Sequence, residues 1–157
     1  MRRIEKSITD KKIITELLNK GRYITIAMSK DDYPYIITLS YGYDNSRDAL
    51  YFHCAKEGQK IDYIKYNSQV CGTIIEDNGY YNDECVQAFR SLVIRGKLSF
   101  IDTFQEKKHA FDVLLNHLEK DPKIMKEKHF GNDKNYIKTG ILRLDITEIT
   151  GKEEKAS

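Results

Sequence analysis

The chain has few of the residues that mark disulfide-rich or zinc-binding proteins. Its 157 residues contain no tryptophan, two prolines and three cysteines. Cys54, Cys71 and Cys85 are widely spaced and form no Cys-x-x-Cys pair, so neither a disulfide framework nor a structural zinc site is expected. We expect these cysteines to be reduced thiols packed in strands.

The chain also lacks an excess of charge of either sign. Lys and Arg number 26 against 24 Asp and Glu, a formal net charge of +2, and no basic stripe accompanies the 11 tyrosines. Neither nucleic acid nor a membrane is therefore an expected partner. No apolar run has the length of a membrane span, and the opening Met-Arg-Arg-Ile-Glu-Lys lacks the apolar core of a signal peptide. A cytoplasmic protein is expected.

Strand-like segments outnumber helical ones. A helix is predicted over 7–20, capped by Thr9 or Asp10, and others are predicted to begin near 57, 103 and 121. Strands are predicted at 22–29, 35–43, 50–54, 69–76, 88–101 and 138–150, the fifth with a bulge or a close backbone approach at Gly96.

Short polar turns between the strands favour antiparallel pairing. The expected fold is mainly β, a six-stranded antiparallel barrel with peripheral helices. It is predicted to form a single domain over 1–157, with the barrel at about 22–150 and a frayed charged tail at 151–157.

The junction after the strand 50–54 has the pattern of an anion site. A helix start leaves backbone N–H groups unpaired and carries partial positive charge, which favours phosphate. Gly58 would let a ligand approach the backbone closely, and Lys60 adds a full positive charge in the first turn. An ordinary strand-to-helix junction with a solvent-facing lysine fits the same pattern, so the residues alone leave both interpretations open.

The histidines and Cys54 have structural interpretations when taken singly. His53 lies on an apolar strand, where a hydrogen-bonded core histidine is commoner than an acid–base group. His109 and His117 lie two helical turns apart, too far for one metal ion, and are expected at the surface. Cys54 is expected to be a packed neutral thiol.

The order of motifs over residues 22–152 resembles the flavin-binding split barrels. The motifs are Ile36-x-x-Leu39-Ser40-Tyr41, His53-x-Ala55-x-x-Gly58-x-Lys60, Val70-Cys71, Arg90-Ser91-x-Val93-Ile94-x-Gly96 and Thr139-Gly140-Ile141. More narrowly, the chain resembles the branch related to pyridoxamine 5′-phosphate oxidase that includes the nitroimidazole-resistance proteins. The resemblance implies a split β-barrel of the FMN-binding type, FMN as cofactor, and a homodimer with FMN at the interface between two barrels.

The resemblance also implies which residues hold the cofactor. The FMN phosphate would lie near Gly58, Gln59 and Lys60. The ring would lie along two strand segments, His53, Cys54 and Ala55 on one side and Thr38, Leu39, Ser40 and Tyr41 on the other. Arg90 and Ser91 would approach the ring from the long strand, within the chain or across the dimer interface.

One departure from the family pattern concerns the phosphate. The Arg-Lys pair of the true oxidases is Gln59-Lys60 here, so one bidentate clamp is missing and vitamin B6 oxidation is not expected. The arginines that could replace it in space are Arg22, Arg90, Arg95 and Arg143.

The function implied is an FMN-dependent oxidoreductase that reduces small electron-poor substrates such as nitroaromatics. The flavin would carry the redox chemistry, so no catalytic side chain and no metal are predicted. Two alternatives stay open: a flavin-binding or redox-sensing module without turnover, and a haem-binding split barrel with His53 as axial ligand.

Overall fold

A computed structural model describes residues 3–131 and 133–156. In chain order, the strands are β1 (Ser7–Ile8), β2 (Tyr23–Lys30), β3 (Tyr33–Ser40), β4 (Gly42–Asp44), β5 (Ala49–Cys54), β6 (Gln69–Tyr81), β7 (Val86–Ile101) and β8 (Gly140–Glu154). The helices are α1 (Lys11–Lys20), α2 (Gln59–Tyr66), α3 (Phe104–Leu118), α4 (Pro122–Phe130) and α5 (Asp133–Lys138). None of the helices in these ranges is long and apolar enough to cross a membrane.

The strands form one antiparallel sheet that curls into a barrel. Their order is β3-β2-β6-β7-β8-β5-β4, with β1 added beside β8, and β3 at one end of the order contacts β5 near the other. The predicted mainly β antiparallel barrel with peripheral helices is confirmed. The described residues form eight strands rather than six, because the predicted strand 35–43 divides at Tyr41 and because Ser7–Ile8 adds β1.

Alternating side chains build the core. On β7, Leu92, Ile94 and Leu98 are buried, while Val93, Arg95 and Lys97 are exposed on the opposite face. β5 is buried on both faces, since Leu50 and Phe52 enter the barrel core and Tyr51 packs beneath α3. This burial explains why β5 reads as an unbroken apolar run.

Helix α3 is fastened to the barrel by polar contacts as well as apolar ones. The Tyr51 hydroxyl donates to Glu106 at 2.6 Å, and burial followed by this carboxylate raises the pKa of Tyr51 to about 12. His109 bonds to Asp44, and His117 bonds to the carbonyl of Gly21. Both histidines are partly exposed, as predicted for surface residues, but each ring also has a partner on the barrel side of the helix, which was not predicted.

The ends of the chain also differ from the prediction. Residues 151–154 were expected to fray, yet they continue β8: Gly151 pairs with Leu92 on one side and with Ile8 on the other. The first helix begins at Lys11 rather than at residue 7, because Ser7–Ile8 form β1. Asp10 caps this helix as predicted, accepting from the backbone N–H of Lys12 at 2.8 Å.

Strand β7 has one irregularity in each of its two ladders. The predicted bulge or close approach at Gly96 is confirmed: the β7–β8 register shifts between Arg95 and Gly96, with Thr147 of β8 as the extra residue, and Gly96 lies close to the Asp145 carbonyl. The segment 77–83, expected to be a polar connection, instead extends β6 to Tyr81 and forms a second irregularity between Asp77 and Tyr80. Residues 77–88 thus form a projecting hairpin, which we call the arm.

Candidate functional site

The sheet splits at Tyr41, and the split creates a slot. β4 pairs with β5 through Gly42 and Tyr51. Continuing that register would set Ser40 opposite His53, but β3 turns away and pairs with β2 instead, where Ser40 meets Tyr23. The end of β3 and the end of β5 therefore lie side by side without a ladder between them, leaving strand edges available to a ligand.

The β3 side of the slot offers fewer side chains than the sequence suggested. Thr38 and Ser40 are exposed, and the Thr38 hydroxyl lies 2.9 Å from that of Thr25. Leu39 packs against the barrel core. Tyr41 is fully buried: its hydroxyl donates to the carbonyl of Leu18 at 2.7 Å, and burial raises its pKa. The Tyr41 ring thus anchors the point of the split in the barrel core, and it does not line the slot.

The β5 side of the slot ends in His53, Cys54 and Ala55. Cys54 is half-buried; burial raises the pKa of its thiol, and the ammonium groups of Lys60 and Lys107 partly oppose this effect. His53 makes no hydrogen bond through its side chain within the described residues. The slot therefore contains a thiol with little thiolate character and a free imidazole.

His53 also borders an apolar cavity of about 310 Å³ beneath the helices. The walls of this cavity come mainly from α3 and α4, namely Phe111, Leu114, Leu115, Leu118, Met125 and Phe130. Its polar groups are few: His53, Glu119 and Thr139. Volume and lining are those of a small-molecule pocket.

The start of α2 has the features of an anion site. Gly58 precedes the helix with φ of +123°, no side chain caps the helix start, and a Cβ at Gly58 would meet nothing within 4 Å. The amides of Ile61 and Asp62 bond to the Gly58 carbonyl, whereas those of Gln59 and Lys60 make no backbone hydrogen bond within the described residues. Open backbone N–H groups, free space and a nearby ammonium group thus occur together.

Arg90 and Ser91 lie apart from these elements within one chain. β6 and β2 separate β7 from β3, a distance of about 14 Å at ordinary strand spacing. The Arg90 guanidinium bonds to Glu76 at 2.5 Å and to Glu16 at 3.3 Å, while Ser91 lies half-buried on the outer face of the sheet. The structure therefore does not bring these two residues to the slot of their own chain.

The arginines considered as replacements for the missing clamp all have other partners. Arg22 donates to the carbonyl of Leu118, and Arg95 lies 3.5 Å from Glu148. Arg143 bonds to Glu106 at 3.1 Å and to Asp145 at 2.7 Å. Lys60 is thus the basic side chain of the predicted set that stands at the helix start.

A further surface was missed in the sequence. The outer face of β3, β6 and β7 exposes Ile36, Ile75 and Val93, by 65%, 63% and 38%. Beside them a depression of about 330 Å³ is lined by Thr73, Ile75, Asp77, Gln87, Phe89 and Ser91. Consecutive apolar pairs such as Ile36-Ile37 and Ile74-Ile75 could have indicated this surface. In a strand with one solvated face, apolar and polar residues should alternate, so an apolar pair places one apolar side chain outside.

Comparison with known proteins identifies the family. The model of the pyridoxamine 5′-phosphate oxidase family matches residues 10–153. The chain belongs to this family. None of the curated protein sequences compared with the chain matches it.

Several solved structures have a similar fold. A candidate 5-nitroimidazole antibiotic resistance protein from Bacteroides thetaiotaomicron superimposes with a TM-score of 0.80 at 27% identity, covering 94% of this chain and 86% of that one. The flavocytochrome Anf3 from Azotobacter vinelandii gives 0.83 at 16% identity, covering 99% and 72%. An FAD- and haem-binding protein from Mycobacterium smegmatis gives 0.78 at 18% identity, covering 96% and 74%. The last two similarities show the shared fold alone.

Proposed function

We propose that the chain is an FMN-binding oxidoreductase that works as a homodimer and reduces small electron-poor substrates such as nitroaromatics. The observation that carries the proposal is the open slot between β3 and β5 next to the uncapped start of α2. The nitroimidazole-resistance protein of similar structure supports the substrate class.

The residues present fit a phosphate-bearing flavin. Lys60 and the open amides of Gln59 and Lys60 would bind the phosphate, and Gly58 leaves the space it needs. Backbone groups at 38–40 and 53–55 would bond to the polar edge of the ring. The bound flavin would supply the electron transfer, and the chain would supply orientation, electrostatics and access.

The second subunit would complete the site. The outer face carries exposed apolar side chains next to neutral Thr25, Thr38 and Thr73, so two copies can meet there without like-charge repulsion. Ser91 lies on this same face, and a partner seated there would bring Ser91 towards a slot that its own chain does not reach.

The first experiment is the visible spectrum of the purified protein with identification of the released cofactor. We expect FMN at about one per chain, and loss of affinity of at least about tenfold in Lys60→Glu. Lys65→Glu, an exposed position at the other end of α2, is the matched charge reversal and should retain FMN. A protein that binds no added FMN, or a Lys60→Glu variant with unchanged affinity, contradicts the cofactor site.

Turnover needs its own assay, because a flavin carrier would pass the first test. Reduction of a nitroaromatic by the flavin-loaded protein with a nicotinamide donor is expected. Bound FMN that no donor and acceptor pair can cycle would instead support a redox-sensing or carrier module.

A haem site is the second candidate, favoured by the free imidazole of His53 beside an apolar cavity of about 310 Å³. A Soret band that is lost in His53→Ala would support haem. A flavin spectrum without a Soret band would exclude it as the resident cofactor.

A further inference from the structure

The arm projects from the barrel as a two-stranded hairpin. Beyond Asp77, β6 pairs with β7 through Tyr80–Gln87 and Tyr81–Val86, while the ladder with β2 ends at Thr73. Of residues 77–87, all but Val86 are exposed. A two-stranded hairpin is marginally stable in water on its own, so an extension of this length indicates a surface that is covered in the working protein.

Local hydrogen bonds give the arm a definite shape. Asp77 accepts from the backbone N–H of Gly79 at 2.8 Å and from the Gln87 amide at 2.5 Å. The Tyr80 hydroxyl donates to the Cys85 sulfur at 3.2 Å. Tyr80 and Tyr81 are 54% and 45% exposed. Large, half-exposed tyrosines on a preorganised hairpin are the side chains that anchor protein interfaces.

Charge favours a second copy of the chain as the occupant. The arm contains three carboxylates, Asp77, Asp83 and Glu84, and no Lys or Arg. Because the chain carries +2 overall, the remainder carries a formal excess of five positive charges. The acidic arm of one molecule is thus complementary to the basic body of another.

The arm is also continuous with the proposed dimer face. Gln87, Phe89 and Ser91 alternate on the same outer face of β7, and all three line the depression described above. Tyr80 pairs directly with Gln87. From Ser91 to Gln87 the strand spans about 13 Å, so the arm begins close to Ser91 along the same face.

We propose that the arm of one protomer packs against a second copy beside that copy's flavin slot, and that Tyr80, which shares the outer face of the arm with Gln87, forms part of the wall of that slot. The proposal rests on the proposed function for the flavin, but the contact between copies does not depend on it. A site shared in this way would be incomplete in a single chain.

The contact is tested by sedimentation velocity over a range of protein concentrations. The double variant Tyr80→Ser/Tyr81→Ser should raise the dimer dissociation constant at least about tenfold, because interface tyrosines are frequent hot spots. Tyr33→Ser is the matched control, since Tyr33 is 73% exposed at the turn between β2 and β3. A monomeric parent protein, or a dimer unaffected by the double variant, overturns the proposal.

Mixed dimers then decide whether the arm serves the partner's site. One subunit carries Lys60→Glu and an intact arm, and the other carries Tyr80→Ser/Tyr81→Ser and an intact Lys60. If the arm acts on the partner, each mixed dimer regains one FMN site of parental affinity. If the arm acts on the site of its own chain, the mixed dimer has no intact site. That result overturns the proposal that the arm completes the partner's flavin site. A parent that dimerises through the arm but binds no FMN supports the contact and overturns the shared site.

Discussion

The Nε2 atom of His117 lies 2.6 Å from the carbonyl oxygen of Gly21. On the other side of the ring, the backbone N–H of Tyr43 donates to Nδ1 at 3.4 Å, so the ring bears its proton on Nε2. The same ring packs against Tyr41, with centroids 4.9 Å apart. One imidazole on α3 thus joins the end of α1 to the start of β4, next to the split that forms the slot.

We predict that His117→Phe destabilises the protein. Phenylalanine keeps the packing on Tyr41 but leaves the Gly21 carbonyl and the Tyr43 amide without their partner, so the free energy of unfolding should fall by about 1–3 kcal/mol. Urea unfolding followed by circular dichroism measures the change. His129→Phe, at an exposed position, should change it by less than about 0.5 kcal/mol. Equal effects at the two positions would contradict the bridging role.

A pH-dependent contribution is predicted for Asp44, which is 7% exposed. Burial alone would raise the pKa of Asp44, but hydrogen bonds from Ser46 and His109 outweigh burial and hold this pKa below its ordinary value of 3.8. Because the native pKa lies below the unfolded one, the stabilisation is fully present above the unfolded pKa and is lost as pH falls through the native pKa.

Asp44→Asn should therefore lower the free energy of unfolding by about 1–3 kcal/mol near neutral pH. The difference in the free energy of unfolding between parent and variant should become smaller as the pH falls below about 4. Urea titrations at a series of pH values measure it, with Asp102→Asn, an exposed position, as control. A gap that stays constant down to about pH 3 would show that the carboxylate charge is not the source.

Much of the barrel could be predicted because its signals are local. Asp10 as a cap, Gly96 as a bulge and the apolar run of β5 each follow from residue chemistry within a few positions. The partners of His109 and His117 could not be predicted in this way. Asp44 and Gly21 lie far away in sequence, and only the packing of α3 brings them to the rings.

The site was predictable to the same limited degree. Motif order placed residues 38–41 near 53–60, and the structure brings the ends of β3 and β5 together. Which side chains face the slot depends on a bend at Tyr41 that the motif does not encode, so the burial of the Tyr41 ring was not foreseen. The separation of Arg90 from the slot depends on strand order, which a linear motif does not contain.

Gly96→Ala is predicted to be strongly destabilising. A Cβ at Gly96 would lie 2.2 Å from the carbonyl oxygen of Asp145, which belongs to the paired strand and cannot rotate away. We expect a loss of about 2–4 kcal/mol in the free energy of unfolding, because the β7–β8 ladder must shift to admit the methyl group. Lys97→Ala, the exposed neighbour, should be nearly neutral. Similar losses of unfolding free energy in both variants would show that the close contact between Gly96 and the Asp145 carbonyl is not the cause.

The end of β8, residues 151–154, can be tested by truncation. Gly151 passes so close to Ile8 that a Cβ would lie 2.8 Å from that side chain, and Lys6 bonds to Glu154. A chain ending after Thr150 loses the whole β1–β8 ladder and the end of the β7–β8 ladder. We therefore expect its melting temperature to fall by at least about 4 °C.

The control for this truncation is a chain ending after Glu154, which keeps every paired residue of β8. Its melting temperature should match that of the full chain. Hydrogen exchange provides an independent reading, because the amides of residues 151–154 should be protected in the full chain if they are bonded into the sheet. Rapid exchange of the amides of residues 151–154, together with an unchanged melting temperature after truncation at Thr150, would show that this segment is frayed, as the charged composition predicted.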